Sequence, residues 1–205
     1  MPTTLMVPTS ELHASWLDAW HEWGRETPQP GTNMATATRL GLDLAQPADF
    51  RRWVGILTEL ENPDTPVPSG MVRATQRWIC VEDGDTVEYC GAINLRHTLT
   101  PMLAELGGHI GYSVRPRARR RGLAVVAVAE MLRIAGRLGL REVMITCDDG
   151  NLGSRRTIEK SGGALQDIRE PDDYAITNGF GEPLRRYWVP TSSPRCGDGD
   201  VEQRS

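Results

Sequence analysis

From His109 to Gly163 the chain reads strand, turn, helix, strand and helix with almost nothing between them, which leaves few ways to fold it. His109–Val114 reads as a short strand ended by Pro116. The run Arg117-Ala118-Arg119-Arg120-Arg121-Gly122-Leu123-Ala124 then turns into a helix expected over Gly122–Leu138. Glu130, Arg133 and Arg137 share one face of that helix, and Leu123, Ala127, Met131, Ile134 and Leu138 share another. Gly139 stands where helices stop. Glu142–Cys147, with Val143, Met144 and Ile145 in a row, reads as a fully buried strand, and a short helix over Ser154–Lys160 ends at Gly162-Gly163. A strand entering a helix through a small-residue turn leaves backbone N–H groups unpaired at the helix start. With the helix dipole behind them, these groups suit phosphate oxygens.

The flanks supply the rest of a mixed α/β fold with a central sheet. Ser10 begins a helix carrying Leu12, Trp16, Leu17 and Trp20 at helical spacing, and Pro28–Leu44 reads as a loop. A second helix is expected over Ala48–Glu61, with Phe50, Trp53, Val54 and Leu57 inward. Arg77–Glu82 and Val87–Leu95 form a hairpin through Asp83-Gly84-Asp85, and two more strands lie near Leu165–Arg169 and Arg185–Val189. The 205 residues fit one domain over 1–189, followed by a polar tail over 190–205 expected to be disordered.

Several chemistries are excluded or weakened. Lys160 is the only lysine and follows no glycine loop, which excludes a Walker-type nucleotide site. A dinucleotide fold wants GxGxxG after its first strand, and that run is missing. The net charge of −4, with one short basic run lacking interleaved aromatics, argues against nucleic acid as a partner. No apolar run approaches the length of a bilayer span, and Met1–Leu5 lacks the features of a secretory signal. Cys80, Cys90, Cys147 and Cys196 show no metal or disulfide spacing, so a reduced cytoplasm is expected.

The run Gly108-His109-Ile110-Gly111-Tyr112-Ser113-Val114-Arg115-Pro116, followed by Arg119-x-x-Gly122-x-Ala124, resembles the acetyl-CoA motif of the GNAT superfamily of N-acetyltransferases. Asn151, Ser154, Ile158-Glu159-Lys160 and Gly162 resemble that superfamily's second motif. Cys90–Ile93 and Leu184–Trp188 add to the likeness, which covers about residues 70–189. It implies a mostly antiparallel central sheet flanked by helices, with the strands at His109–Val114 and Glu142–Cys147 splayed to form an acetyl-CoA cleft. Backbone amides of Arg119, Arg120, Arg121, Gly122, Leu123 and Ala124 would then cradle the CoA pyrophosphate, with small residues at Gly122 and Ala124 allowing close approach. The pantetheine would pair with backbone near Tyr112, Ser113 and Val114, and Asn151 and Ser154 would lie beside it. Acetyl-CoA is thus the expected co-substrate, without metal, and the reaction is direct transfer to a primary amine.

The family's usual tyrosine, seven residues after the motif asparagine, is replaced here by Ile158. Tyr112, Ser154 and Tyr187 remain as candidate acids, although Ser154 also suits helix capping. Candidate bases are His109, Glu105 and His97. Cys147 reads as a packing residue rather than a nucleophile. A cleft built from Trp16, Trp20, Trp53, Arg77 and Trp78 would suit a compact ligand, which slightly favours a small-molecule acceptor over a protein amine. The same tryptophans also read as core. The expected partners are acetyl-CoA and an amine acceptor, with a homodimer allowed and no nucleic acid or membrane. An acyl-CoA-binding sensor without turnover is the alternative, resting on the missing tyrosine.

Overall fold

Seven strands form one sheet in the order β1-β2-β3-β4-β5-β7-β6 in the computed structural model, which describes residues 3–24, 27 and 29–191. The strands are β1 (Thr3–Met6), β2 (Ala74–Asp83), β3 (Thr86–Arg96), β4 (Ile110–Val114), β5 (Glu142–Asp148), β6 (Ala164–Arg169) and β7 (Leu184–Pro190). All neighbouring pairs are antiparallel except β4 and β5. The helices are α1 (His13–Trp23), α2 (Met34–Arg39), α3 (Pro47–Glu59), α4 (Leu123–Arg137), α5 (Leu152–Lys160) and α6 (Asp173–Thr177). The mixed sheet flanked by helices is the architecture the resemblance implies.

Two cores lie on opposite faces of the sheet. On one face, α4 sets Leu123, Ala127, Val128, Met131, Leu132 and Ala135 against Ile93, Ile110, Val143 and Ile145. The buried stripe of α4 is rotated from the expected one: Val128, Leu132 and Ala135 are buried, whereas Leu138, after the last helical turn, is 49% exposed. On the other face, Trp16, Phe50, Trp53, Leu57, Trp78 and Tyr89 pack together under α1 and α3. Trp53 and Trp78 are fully buried and Trp16 is 1% exposed. Their rings tile against one another and Phe50. They form no ligand platform, and Arg77 is paired with Glu61 at 2.7 Å.

Other departures involve short elements. The N-terminal Thr3–Met6 pairs with β2 as an edge strand. The expected loop over 28–44 contains α2, and α6 lies between β6 and β7. Thr9, not Ser10, caps the turn leading into α1, accepting from the Glu11 N–H. The ordered chain passes residue 189, since Thr191 donates to the Arg141 carbonyl. The rest of the expected tail, residues 192–205, lies outside the described residues.

Candidate active site

The parallel pair β4–β5 is joined at one end only. Ile110 pairs with Ile145, and no later residue of β4 is in register with β5 among the described residues. Which groups face the resulting gap follows from strand parity. Arg96 N–H donates to His109 O, and Arg115 N–H donates to Cys90 O, so the odd residues of β4 bond to β3. The even residues, including Tyr112 and Val114, turn their backbone toward β5. By the same reasoning Thr146 and Asp148 face β4, because Asp149 N–H and Thr191 N–H mark the bonds between β5 and β7. Ser113 therefore belongs to the β3 ladder, and its buried Oγ has no described partner. The Val114 carbonyl accepts from Arg119 Nε at 2.9 Å. Beyond the Ile110–Ile145 pair, the backbones of Tyr112 and Val114 face β5 with no residue there in register.

His109 closes the joined end. Its N–H donates to Met144 O (2.7 Å), and Met144 N–H donates to His109 Nδ1 (2.9 Å). Nδ1 is thus an acceptor, and the ring is the neutral tautomer with its proton on Nε2. Burial, and secondarily the charge of Arg96, push its pKa down to about 4. This geometry gives His109 a structural task in place of the expected base. Glu105 lies on the turn Leu103–Gly107 just before β4, and its carboxylate is ion-paired with Arg169 and faces Arg186. His97 stands beyond the joined end, bonded to Thr75 Oγ1 at 3.0 Å.

Tyr112 reaches across the gap from β4. Its hydroxyl lies 2.7 Å from Ser154 Oγ in the first turn of α5 and also donates to the Ser154 carbonyl (3.3 Å). Burial pushes the phenol up to about 12. The cap of α5 is Asn151, whose Oδ1 accepts from the Ser154 N–H at 3.0 Å. That corrects the capping role expected of Ser154, whose hydroxyl instead meets Tyr112. Ile158 is fully buried in the core behind the gap, and Tyr187 bonds Glu159. Cys147 is buried in the same core, with its thiol pushed up to about 11 by burial.

The arginine-rich turn divides into two parts. Arg115, fully buried, bonds Asp18, Glu22, Glu88 and the Tyr89 carbonyl. Arg117 joins the same carboxylates, and its N–H donates to Glu22 Oε1 at 2.5 Å. These two arginines fasten the turn to α1 and β3. Asp18 and Glu22, four apart on α1, were the signal in the sequence that marks such a pairing. Arg119 lies over the Trp23 ring, 5.6 Å from its centroid. Arg120 and Gly122 adopt left-handed backbone (φ 63° and 80°), and α4 starts with no side-chain cap. A Cβ on Gly122 would meet no protein atom within 4 Å, and the left-handed backbone there favours glycine. The curled turn and uncapped helix start leave the amides of Gly122, Leu123 and Ala124 for an anion.

This fold has counterparts among known proteins. The family model described as acetyltransferase (GNAT) domain matches residues 39–164, more than half of the chain. The chain belongs to the GNAT acetyltransferase family. Among solved structures it is similar to the ribosomal L7/L12 α-N-protein acetyltransferase RimL in complex with coenzyme A. That match has 13% identity and a TM-score of 0.64, covering 94% of this chain and 96% of that one. It is also similar to the ribosomal-protein-S5-alanine acetyltransferase of Vibrio fischeri (15% identity, TM-score 0.64, 93% of each chain). A third is the microcin C7 self-immunity acetyltransferase MccE in complex with acetyl-CoA and AMP (13% identity, TM-score 0.59, 92% of each chain). At these identities the likeness is one of fold. No curated protein matches the chain. Among the described residues no helix is long and apolar enough to cross a membrane, and no cluster of His, Cys, Asp or Glu is arranged to hold a metal ion.

Proposed function

We propose that the chain transfers an acetyl group from acetyl-CoA directly to a primary amine. The observation that carries this reading is the β4–β5 gap, open beyond the Ile110–Ile145 pair, with the Tyr112–Ser154 hydroxyl pair spanning it. The chain fits the donor at three places. The amides at Gly122, Leu123 and Ala124 would hold the pyrophosphate. The backbone of Tyr112 and Val114 would pair with the pantetheine as an added strand does. Asn151 would contribute its Nδ2, because its Oδ1 is spent on the cap. Acetyl-CoA supplies an activated thioester carbonyl.

The chain's own part is positioning and hydrogen bonding. A β4 amide facing the gap polarises the carbonyl as an oxyanion donor. The amine nitrogen forms the new C–N bond, the C–S bond breaks, and the amine's proton passes to water or to sulfur. Tyr112 stabilises the sulfur as a hydrogen-bond donor by turning its one hydroxyl hydrogen away from the Ser154 carbonyl, while Ser154 Oγ donates to the phenol oxygen. With its phenol at about 12 and an ordinary thiol near 8.5, full proton transfer from Tyr112 would be uphill by about 5 kcal/mol. Neither His109 nor Glu105 is retained as a base. A lysine-like amine then bears about 4–5 kcal/mol of deprotonation cost at neutral pH, whereas an α-amine bears only about 1 kcal/mol.

With the tryptophans in the core, the preference for a compact small-molecule acceptor loses its ground. Buried free thiols at Cys80, Cys90 and Cys147 accord with a reducing cytoplasm as the working location. The test is release of free thiol from acetyl-CoA against a panel of amines, with mass detection of the acetylated product. Amine-stimulated release with an acetyl mass gain on the amine supports transfer. Tight CoA binding with no amine-stimulated release would assign the chain to the sensor class instead.

A further inference from the structure

A cavity of about 320 Å³ opens between the Leu103–Gly107 turn and the segment linking β6 to β7. Its floor is the small apolar cluster of Leu106, Ala175, Leu184 and Phe180, separate from both main cores. Its rim carries four carboxylates, Glu105, Glu170, Asp172 and Glu182, against one arginine, Arg169. Arg169 is ion-paired with Glu105, Arg186 is bonded to Asp167 and stands 3.9 Å from Glu105, and Asp172 caps α6 by accepting from Ala175 N–H at 2.8 Å. Glu170 and Glu182 have no ion-pair partner among the described residues, and both are exposed. Glu182 also faces Asp148, whose carboxyl is pushed up by burial and by that neighbouring charge.

The cavity adjoins the gap. The Leu106 carbonyl accepts from Thr146 Oγ1 at 2.9 Å, and Leu184 pairs with Asp148. Thr146 and Asp148 are the residues of β5 whose backbone faces β4. Side chains alternate along the strand, so Thr146 points away from the α4 face that holds Val143, Ile145 and Cys147. The cavity thus meets the open edge of β5 from the side opposite the phosphate turn. At about 320 Å³ it stands at the low end for ligand pockets, roughly 300–1,000 Å³, which suits a side-chain-sized group better than a whole ligand.

We propose that this cavity seats a second cationic group of the acceptor, carried on an apolar stem, while the acceptor's primary amine lies at the gap. The apolar floor takes the stem and the unpaired carboxylates at the rim take the charge. The inference rests on the acetyl-transfer reading above, and the favoured substrates are diamines, polyamines or N-termini followed by a basic side chain.

The test is calorimetric titration of the protein saturated with coenzyme A, using α,ω-diamines of increasing length and their matched monoamines. A peptide with lysine beside its N-terminal residue is compared with its norleucine counterpart in a second arm. At one chain length the diamine should bind about fivefold or more tightly than its monoamine, a margin that shrinks as salt rises. The double substitution Glu170→Gln/Glu182→Gln should abolish that margin in the folded protein. Discrimination confined to the peptide arm identifies a polypeptide source, and discrimination among diamines a small-molecule one. Equal affinities in both arms, or an undiminished margin in the double variant, overturn the proposal. Diamine discrimination without amine-stimulated thiol release would leave the cavity assignment standing and remove the transfer reading.

Discussion

Acidification should loosen this protein through one histidine. His109 is buried, its Nδ1 accepts from Met144 N–H, and its pKa is held down to about 4 against an ordinary 6.5. A base with a depressed folded pKa stays neutral in the folded state while the unfolded chain takes up a proton. Between about pH 6.5 and 4 the unfolded state therefore binds more protons, and stability falls as pH falls. The contribution is complete above about 6.5 and is lost as pH drops toward 4. Over the two units from 6.5 to 4.5 it amounts to about 2–3 kcal/mol at 1.36 kcal/mol per unit. Urea unfolding of the wild type and of His109→Gln, at pH 7 and at pH 4.5, measures this directly. The variant should be less stable at pH 7 by about 1–3 kcal/mol, the cost of leaving the buried Met144 N–H without its acceptor. It should also lose less stability on acidification than the wild type. Other groups titrate in both proteins, so the difference between the two slopes isolates His109. Parallel pH dependences would refute the neutral, seam-closing histidine.

Three further outcomes are expected. Arg115→Met keeps the aliphatic stem but removes contacts with three partly exposed carboxylates. It should cost on the order of 2–3 kcal/mol, lowering Tm by about 4–12 °C in calorimetry, and a change below about 2 °C would contradict the anchoring role. Gly122→Glu should weaken acetyl-CoA binding more than tenfold in a folded protein by bringing a negative charge to the anion site, whereas Gly122→Ala should mainly cost about 1 kcal/mol through its left-handed backbone; equal CoA affinity of Gly122→Glu and wild type in a titration would remove the phosphate assignment. Tyr112→Phe and Ser154→Ala should each lower kcat about tenfold, and the double variant should be little worse than either single one; additive losses would show that the two hydroxyls do not act as a pair.

The long elements were legible because each carries its own period. The stop at Gly139, the inward set of α3 and the hairpin through Gly84 follow from local chemistry alone. The four-residue β1 has no period to read and exists because β2 offers it a ladder. Within the site, the splayed strands were legible from the family resemblance, and the turn before α4 from the strand–turn–helix pattern. The part His109 plays was not, because it depends on an amide 35 residues away. Arg115 and Arg117 looked like an exposed basic run until α1 brought Asp18 and Glu22 to them. The tryptophans show the same limit: helical spacing marked an apolar stripe, and only the packing of α1 and α3 on β2 decided that it faces the core.

The one-ended joint between β4 and β5 makes the sheet a pair of leaves bound along a short spine. One leaf is β1 to β4, the other β5, β7 and β6, and α4 lies across both like a clamp on the back cover. How far the leaves stand apart is then governed less by the residues bordering the opening than by the girth of the side chains wedged behind it. A change of one methylene at Val128 or Met131, both fully buried in the core under α4, is therefore expected to press on the two leaves from behind. Titration with CoA would register such a change from the hidden side of the sheet.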